Sequence, residues 1–165
     1  MSDYDKVGRF LIREAAMLDG WRISDWLGLW IGEGSTYWVP SGADDIDPDT
    51  HTCIVHADWT GINQRAARLE GGYAHDQSPR SRFCRMVTNA DIVRRDPSGA
   101  LTVVSCFHLA EARGGLRMDN GVRNFMGRYQ HELVPNESEL GFKIKSKKIM
   151  LVNNDQFFEA MSFFL

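Results

Sequence analysis

Two cysteine–histidine pairs are the most obvious candidates for metal ligands in this sequence. Cys53 and His56 form a Cys-x-x-His pair, and Cys106 and His108 form a Cys-x-His pair. Such pairs are the halves of the Rieske pattern, in which two histidines replace two cysteines on one iron of an iron–sulfur cluster. That pattern places the Cys-x-His half first and the other half close behind it. This chain reverses the order and separates the halves by about fifty residues, so we expect no metal site and no cofactor in it.

The histidines also suggest acid–base chemistry. His51 and His56 would point to opposite faces of a strand, and no carboxylate stands at the spacing of a two-histidine, one-carboxylate iron site. His56 with Asp58, or His75 with Asp76, could supply a general base, because imidazole titrates near neutral pH and a carboxylate can orient it. The same residues are more simply read as ordinary polar side chains. No nucleophile elbow, phosphate loop, dinucleotide fingerprint or paired-cysteine zinc motif accompanies them.

Composition limits the kind of protein. A chain of 165 residues with 43% hydrophobic and 25% charged residues predicts one domain spanning 1–165. A net charge of −3 with dispersed basic residues argues against binding to nucleic acid or to an anionic membrane. No apolar run approaches the roughly 20 residues that span a bilayer, and no secretion signal is evident. We therefore expect a cytoplasmic protein with reduced cysteines.

The first part of the chain predicts helices. Apolar residues at steps of three and four indicate a first helix behind an Asp3 cap, ending near Gly20. Ser24 could cap a short second helix. Two short strands are predicted at residues 35–40 and 52–57, on either side of an acidic loop at residues 41–50. A third helix is predicted at residues 62–71.

The second part predicts strands. Four runs rich in strand-forming residues begin at Ser81 and are separated by the turn sequences DPSG, MDNG and PNESE. The last run predicts a strand with one solvent-exposed face, because Lys143, Lys145 and Lys147 alternate with other residues. The alternation is interrupted near Lys148, which predicts a bulge there. Helices followed by an antiparallel meander indicate an α+β fold, with the helices on one face of a curved sheet.

Aromatic and arginine residues cluster in two places. Trp21, Trp26, Trp30 and Trp38 lie close together in the sequence and could either fill the core or contact a partner. Arginines that interleave with Phe83 and Met86 could contact a partner or pair with the acidic loop. The apolar end QFFEAMSFFL must also be covered, either by the chain's own core or by another chain.

Taken together, several stretches resemble the β subunit of aromatic-ring-hydroxylating dioxygenases over essentially the whole chain. They are FLIREAAMLDGWRISDWLGLW, STYWVP, RAARLEGGYAHDQSPRSRFCRMVTN, GRYQHELV, FKIKSKKIML and the terminal FFL. The positions that carry most of the resemblance are Pro79, Ser81, Arg82, Arg85, Asn89, Gly127, Arg128 and Tyr129. The resemblance implies a cystatin-like fold, also seen in nuclear transport factor 2, ketosteroid isomerase and scytalone dehydratase.

The resemblance further implies a mainly structural subunit without an active site of its own. Such β subunits form a homotrimer that supports three catalytic α subunits, and the Rieske cluster and the mononuclear iron belong to the α chain. The holoenzyme takes electrons from a reductase, often through a ferredoxin, and adds both atoms of dioxygen to an aromatic ring to give a cis-dihydrodiol. The candidate subunit-interface residues are Arg80, Arg82, Arg85, Arg128, Tyr129, Phe163, Phe164 and Leu165.

Two alternatives remain open at this point. The same fold supports stand-alone isomerases, dehydratases and cyclases that use an acid–base pocket between the helices and the sheet. The candidate residues for that chemistry are Asp19, His56, Asp58, His75 and Tyr129. A weaker alternative is a module that binds a ligand without chemistry.

Overall fold

The helices and strands follow the order expected from the sequence. A computed structural model describes residues 2–71, 77–113, 121–156 and 161–165. Within these ranges the helices are α1 (Asp3–Asp19), α2 (Ile23–Leu27) and α3 (Trp59–Glu70). The strands are β1 (Thr36–Pro40), β2 (Cys53–Asp58), β3 (Arg82–Arg95), β4 (Leu101–Ala112), β5 (Val122–Pro135) and β6 (Phe142–Leu151). Among the described residues no helix is both long and apolar enough to cross a lipid bilayer.

The helix starts differ from the predicted ones. Ser2, and not Asp3, caps α1: its hydroxyl accepts from the Asp5 amide at 3.2 Å while the Asp5 carboxylate accepts from the Ser2 amide at 2.9 Å. Ser24 lies inside α2, where its hydroxyl donates to Glu70 at 2.6 Å, and α2 has no side-chain cap. The α3 helix begins earlier than predicted because Asp58 caps it. The cap of α1 was therefore predicted one residue too late, the side-chain cap predicted for α2 is not formed, and the start of α3 was predicted too late.

The strands form one sheet in the order β2-β1-β6-β5-β4-β3. The predicted antiparallel meander β3-β4-β5-β6 is confirmed, and β1 pairs antiparallel with β2. The β1–β6 pair is parallel, which makes the sheet mixed rather than purely antiparallel. At Gly127 the strands β5 and β6 approach so closely that a Cβ atom would lie 2.0 Å from the Met150 carbonyl oxygen, so the backbone there leaves room only for glycine.

A bulge in β6 reverses the expected orientation of one lysine. Glu132 pairs with Ser146 while Leu133 pairs with Ile144, which leaves Lys145 as the extra residue on β6. The bulge lies before the predicted position near Lys148. Consequently Lys145 points to solvent, whereas Lys147 turns to the helix side of the sheet and is only 1% exposed. The prediction that Lys147 shares the solvent-exposed face is wrong, because the alternation already changes phase at Lys145, before Lys147 is reached.

Helix α1 lies along β3 and is attached at both ends. At its start, Asp3 pairs with Arg95 and the Tyr4 hydroxyl donates to Asp91 at 2.8 Å. At its end, Asp19 accepts from the Arg85 guanidinium at 2.6 Å. The apolar side of the helix faces the sheet, where Phe10 packs edge-on against Phe142. These contacts fix the helix across the inner face of the sheet.

The end of the chain lies in the chain's own core. Phe163, Phe164 and Leu165 are buried, whereas Phe157 and Phe158 lie outside the described residues. The Phe164 ring contacts those of Trp26 and Tyr37, at centroid distances of 4.4 and 5.4 Å. The Leu165 amide donates to the Tyr37 hydroxyl at 2.9 Å. The described tail residues are therefore covered by the chain's own core, which is the first of the two possibilities expected from the sequence.

We expect Phe164→Ala to lower the free energy of unfolding by about 3–5 kcal/mol, because it leaves a cavity among buried aromatic rings. Urea unfolding followed by tryptophan fluorescence would measure the change. Ile12→Ala, at a side chain that is 65% exposed, is the control and should shift the free energy by no more than about 0.5 kcal/mol. Equal urea midpoints for the two variants would contradict a docked tail.

Candidate functional site

The two cysteine–histidine pairs do not form one metal site. Cys53 and His56 lie on β2, and Cys106 and His108 lie on β4. Three strands separate β2 from β4 in the sheet, which corresponds to roughly 20 Å at the usual spacing of neighbouring strands. Within the described ranges no three histidine, cysteine or acidic side chains are grouped as metal ligands would be. The two pairs therefore lie too far apart to be the two halves of one Rieske site.

Four of the five alternative acid–base candidates lie within the described residues, and they have different neighbours. Asp19 is bound to Arg85, and Asp58 caps α3 by accepting from the Gly61 amide at 2.8 Å. His56 is exposed on β2 beside the Trp38 ring. Tyr129 is buried on β5, where its ring stacks on Phe107 at 4.0 Å and burial raises the pKa of its hydroxyl. His75 lies outside the described residues.

The interior instead contains a buried charge cluster, formed by Glu14, His131 and Lys147. Lys147 Nζ donates to Glu14 Oε1 at 2.8 Å, and His131 Nε2 lies 3.0 Å from Glu14 Oε2. The Trp26 indole N–H donates to Oε1 as well, at 3.1 Å. Helix α1, helix α2, strand β5 and strand β6 thus converge on a single carboxylate. Such convergence satisfies a charge that would be very unfavourable if it were buried alone.

The protonation states follow from burial and from the neighbouring charges. Burial alone would raise the pKa of Glu14, but Lys147 and His131 outweigh it and hold that pKa well below its usual value. Burial lowers the pKa of His131, and Glu14 opposes this effect only in part. A neutral His131 donates from Nε2 to the carboxylate, since an ionised carboxylate can only accept. Its Nδ1 has no hydrogen-bond partner in the described part of the chain.

This cluster was not found from the sequence, although a signal was present. Glu14 stands on the apolar stripe of α1, between the buried Leu11 and Leu18. A carboxylate on such a stripe requires a buried partner. His131 likewise alternates with the buried Tyr129 and Leu133 along β5. The partner on β6, Lys147, could not be identified from the sequence, because the bulge that turns this side chain inward was predicted further along the strand than it lies.

The opposite side of the sheet carries an exposed apolar surface, which we call the outer face. Met86, His108, Met126 and Val152 form a row across neighbouring strands. Each of the apolar members is at least 46% exposed. Together with the neighbouring row, which contains Arg128, they line a shallow hollow of about 580 Å³. An apolar area of this kind on a sheet face is typical of surfaces that contact another protein.

The predicted interface arginines have different environments. The Arg80 guanidinium lies over the Trp21 ring at 5.0 Å, and Arg82 is exposed at the start of β3. Arg128 lies on the outer face, 3.6 Å from Asp44 of the acidic loop. The Arg85 side chain is only 2% exposed, and its ion pair is with Asp19 of α1 rather than with the acidic loop. The pairing with the acidic loop that was suggested for Arg80, Arg82 and Arg85 is therefore wrong for Arg85, and Asp44 of that loop lies beside Arg128 of β5 instead.

Sequence comparison places the chain in a family. A family model described as "Ring hydroxylating beta subunit" matches residues 13–155. The chain belongs to this family of β subunits. The small oxygenase component of the p-cumate 2,3-dioxygenase system of Pseudomonas putida is 33% identical to this β-subunit chain over 90 residues, or 53% of the chain and 49% of the relative. The chain thus spans about half the length of the curated relatives that it matches.

Solved structures confirm the fold class predicted for the β-subunit chain. The β subunit of the benzoate 1,2-dioxygenase from Burkholderia mallei has a TM-score of 0.71 at 21% identity, covering 90% of this chain and 89% of that chain. A naphthalene 1,2-dioxygenase structure with indole bound in the active site gives a TM-score of 0.75 at 20% identity, covering 96% and 83%. At these identities the likeness establishes the architecture alone.

In the β-subunit chain, the residues that carried the resemblance differ in what they contact. Gly127 allows the close approach of β5 and β6, Arg128 reaches the outer face, and Tyr129 packs in the core. These three consecutive residues of β5 thus have different roles, in backbone packing, at the surface and in the interior. Neighbouring side chains of a strand point to opposite faces of the sheet, so such a difference is expected. The candidate role of these side chains in subunit contacts stays a prediction.

We expect Glu14→Gln to lower the free energy of unfolding by about 3–5 kcal/mol, because it leaves Lys147 buried without a counter-charge. The matched control is Glu132→Gln, which removes the carboxylate 2.9 Å from Lys145 on the solvent side of the same two strands. The control should cost about 0–1 kcal/mol. Chemical unfolding of both variants measures the difference, and similar losses would contradict a special role for Glu14.

The buried His131 predicts that the protein loses stability on mild acidification. Its folded pKa lies below its ordinary value of 6.5, so the unfolded chain binds more protons as the pH falls through that value, and stability falls with it. Glu14 adds a loss of the same sign at lower pH, below its ordinary value of 4.5. The thermal midpoint of His131→Gln should therefore depend less on pH than that of the wild type between about pH 7.5 and 5.5. The control, His56→Gln at an exposed position, should retain the wild-type dependence.

Proposed function

We propose that this chain is the small, mainly structural β subunit of a multicomponent Rieske non-haem iron aromatic-ring-hydroxylating dioxygenase, which acts in the degradation of aromatic compounds in the cytoplasm. The observation that carries the proposal is the family match over residues 13–155. One curated relative is named as the small oxygenase component of a dioxygenase system. The activity belongs to the assembled enzyme and not to this chain alone.

In this proposal the Rieske cluster and the mononuclear iron are held by a separate catalytic α subunit. The β chain contributes a rigid support, and the reaction of the holoenzyme is the addition of both atoms of dioxygen to an aromatic ring. Two observations favour a structural role for the β chain. Phe163, Phe164 and Leu165 are buried in the interior, and two of the acid–base candidates, Asp19 and Asp58, bind structural partners.

The proposed assembly is a homotrimer of β subunits that binds three α subunits. The outer face supports an assembly, because Met86, Met126 and Val152 are exposed next to one another on one side of the sheet. Arg128 at the same surface adds a residue type that is enriched in interfaces. A solvated outer face would leave this apolar area unexplained.

Co-expression with the α chain tests the proposal. The α chain would be recognised by a neighbouring reading frame with Cys-x-His and Cys-x-x-His in Rieske order. We expect a co-purifying complex whose mass corresponds to three chains of each kind, with iron in the complex and none in the isolated β chain. Light scattering, iron analysis and assay of cis-dihydrodiol formation would measure these properties.

A surface variant makes the test specific. Met126→Asp should leave the isolated chain folded, since the side chain is exposed, but should lower the yield of the complex several-fold by placing a charge in an apolar contact. Ile12→Asp on the exposed side of α1 is the control. An isolated β chain with a stoichiometric iron–sulfur chromophore, or one that never co-purifies with an α chain, would overturn the proposal.

A further inference from the structure

A groove lies between the edge strand β2 and helix α3. Its walls are Ile54, Val55, His56 and Ala57 on the strand and Gly61, Gln64, Arg65 and Arg68 on the helix, and they enclose about 470 Å³. The helix residues recur at steps of three and four, so they form one face of α3 that is turned toward β2. The β2–α3 groove is therefore a regular consequence of how the two elements pack.

The groove has a positive charge that the described residues do not neutralise. Arg68 is exposed, and no carboxylate within the described ranges pairs with it. Arg65 lies over the Phe164 ring at 5.6 Å and likewise has no ion pair there. None of the residues that line the groove is acidic. Since guanidinium groups bind carboxylates well, the groove suits an acidic segment of protein.

The backbone of β2 adds hydrogen-bonding capacity to the groove. In the part of the chain that the structure describes, β2 is the first strand of the sheet and pairs with β1 alone. An edge strand presents unpaired N–H and C=O groups along its free side. Backbone N–H groups next to arginines can bind carboxylates or the backbone of an incoming segment.

The chain itself contains a segment with the complementary charge. The acidic loop, residues 41–50 with the sequence SGADDIDPDT, carries four aspartates. Asp44 is held beside Arg128 and bound by Asn154, whereas Asp45 and Asp49 are exposed and make no ion pair in the described part of the chain. Asp44 also lines the hollow of the outer face, so the loop lies by that face and not in the β2–α3 groove of its own chain.

We propose that the acidic loop of one copy of this chain docks in the β2–α3 groove of a second copy. Two different surfaces meet in such a contact, so each copy can offer its loop to one neighbour and its groove to another. A head-to-tail contact of this kind closes into a ring when the rotation between copies allows it. The inference rests on the homotrimer of the proposed function and identifies which residues would join its copies.

Charge reversal on each side of the contact tests the inference. Arg68→Glu and the double variant Asp45→Lys/Asp49→Lys should each weaken self-association at least ten-fold, and should do so less at high salt because screening already weakens the wild-type contact. Combining all three substitutions restores opposite charges and should recover most of the association. The control is Arg13→Glu, which changes an exposed arginine on α1 by the same charge and should have no effect. Analytical ultracentrifugation measures the association, and circular dichroism confirms that each variant is folded.

The outcome separates this inference from the proposed function when the same variants are purified with the α chain. If Arg68→Glu and the loop variant assemble as the wild type does, or if the combined variant fails to recover association, the docking contact is overturned. Continued co-purification with the α chain in that case leaves the proposed function standing. Loss of self-association in the two reversed variants together with recovery in the combined one supports the contact.

Discussion

The architecture depends on one buried carboxylate. Glu14 accepts hydrogen bonds from Lys147, His131 and Trp26, which lie on β6, β5 and α2. Removing these groups from water is unfavourable, and the loss is offset only if every partner is in place. The helix can therefore sit on the sheet in one register alone, since a shift of α1 by one residue would leave a charge unpaired. Hydrophobic packing holds the layers together, while the charge cluster selects their relative position.

A second buried group connects the helix layer to the end of the chain. Arg85 binds the carboxylate at the end of α1 and the Phe164 carbonyl oxygen, so one guanidinium joins β3, α1 and the tail. The tail in turn fills the space between Trp26 and Tyr37. Aromatic rings therefore occupy this part of the interior.

Much of this arrangement could be predicted, and the failures have identifiable causes. The four long strands were clear because their composition and turns agree. The cap of α1 was displaced to Asp3 because Ser2 and Asp3 are both good capping residues and only geometry chooses between them. The cluster around Glu14 was missed because its partners are remote in sequence and one of them depends on a bulge. Surfaces that contact another copy are harder still to predict from the sequence. The acidic loop and the β2–α3 groove become candidates for such a contact only when the sheet order shows that they lie apart within one chain.

The parallel pairing of β1 with β6 also affects the order in which the molecule can form. β1 follows the second helix, whereas β6 is close to the end of the chain, so the pair joins segments that are synthesised far apart in time. During synthesis α1, β1 and β2 leave the ribosome without the strand that connects them to the rest of the sheet. Contacts of such long range also slow folding, because a large loop must close before they form. The nascent chain thus exposes apolar helix faces until its last strand arrives, and this interval is when it is most vulnerable to aggregation.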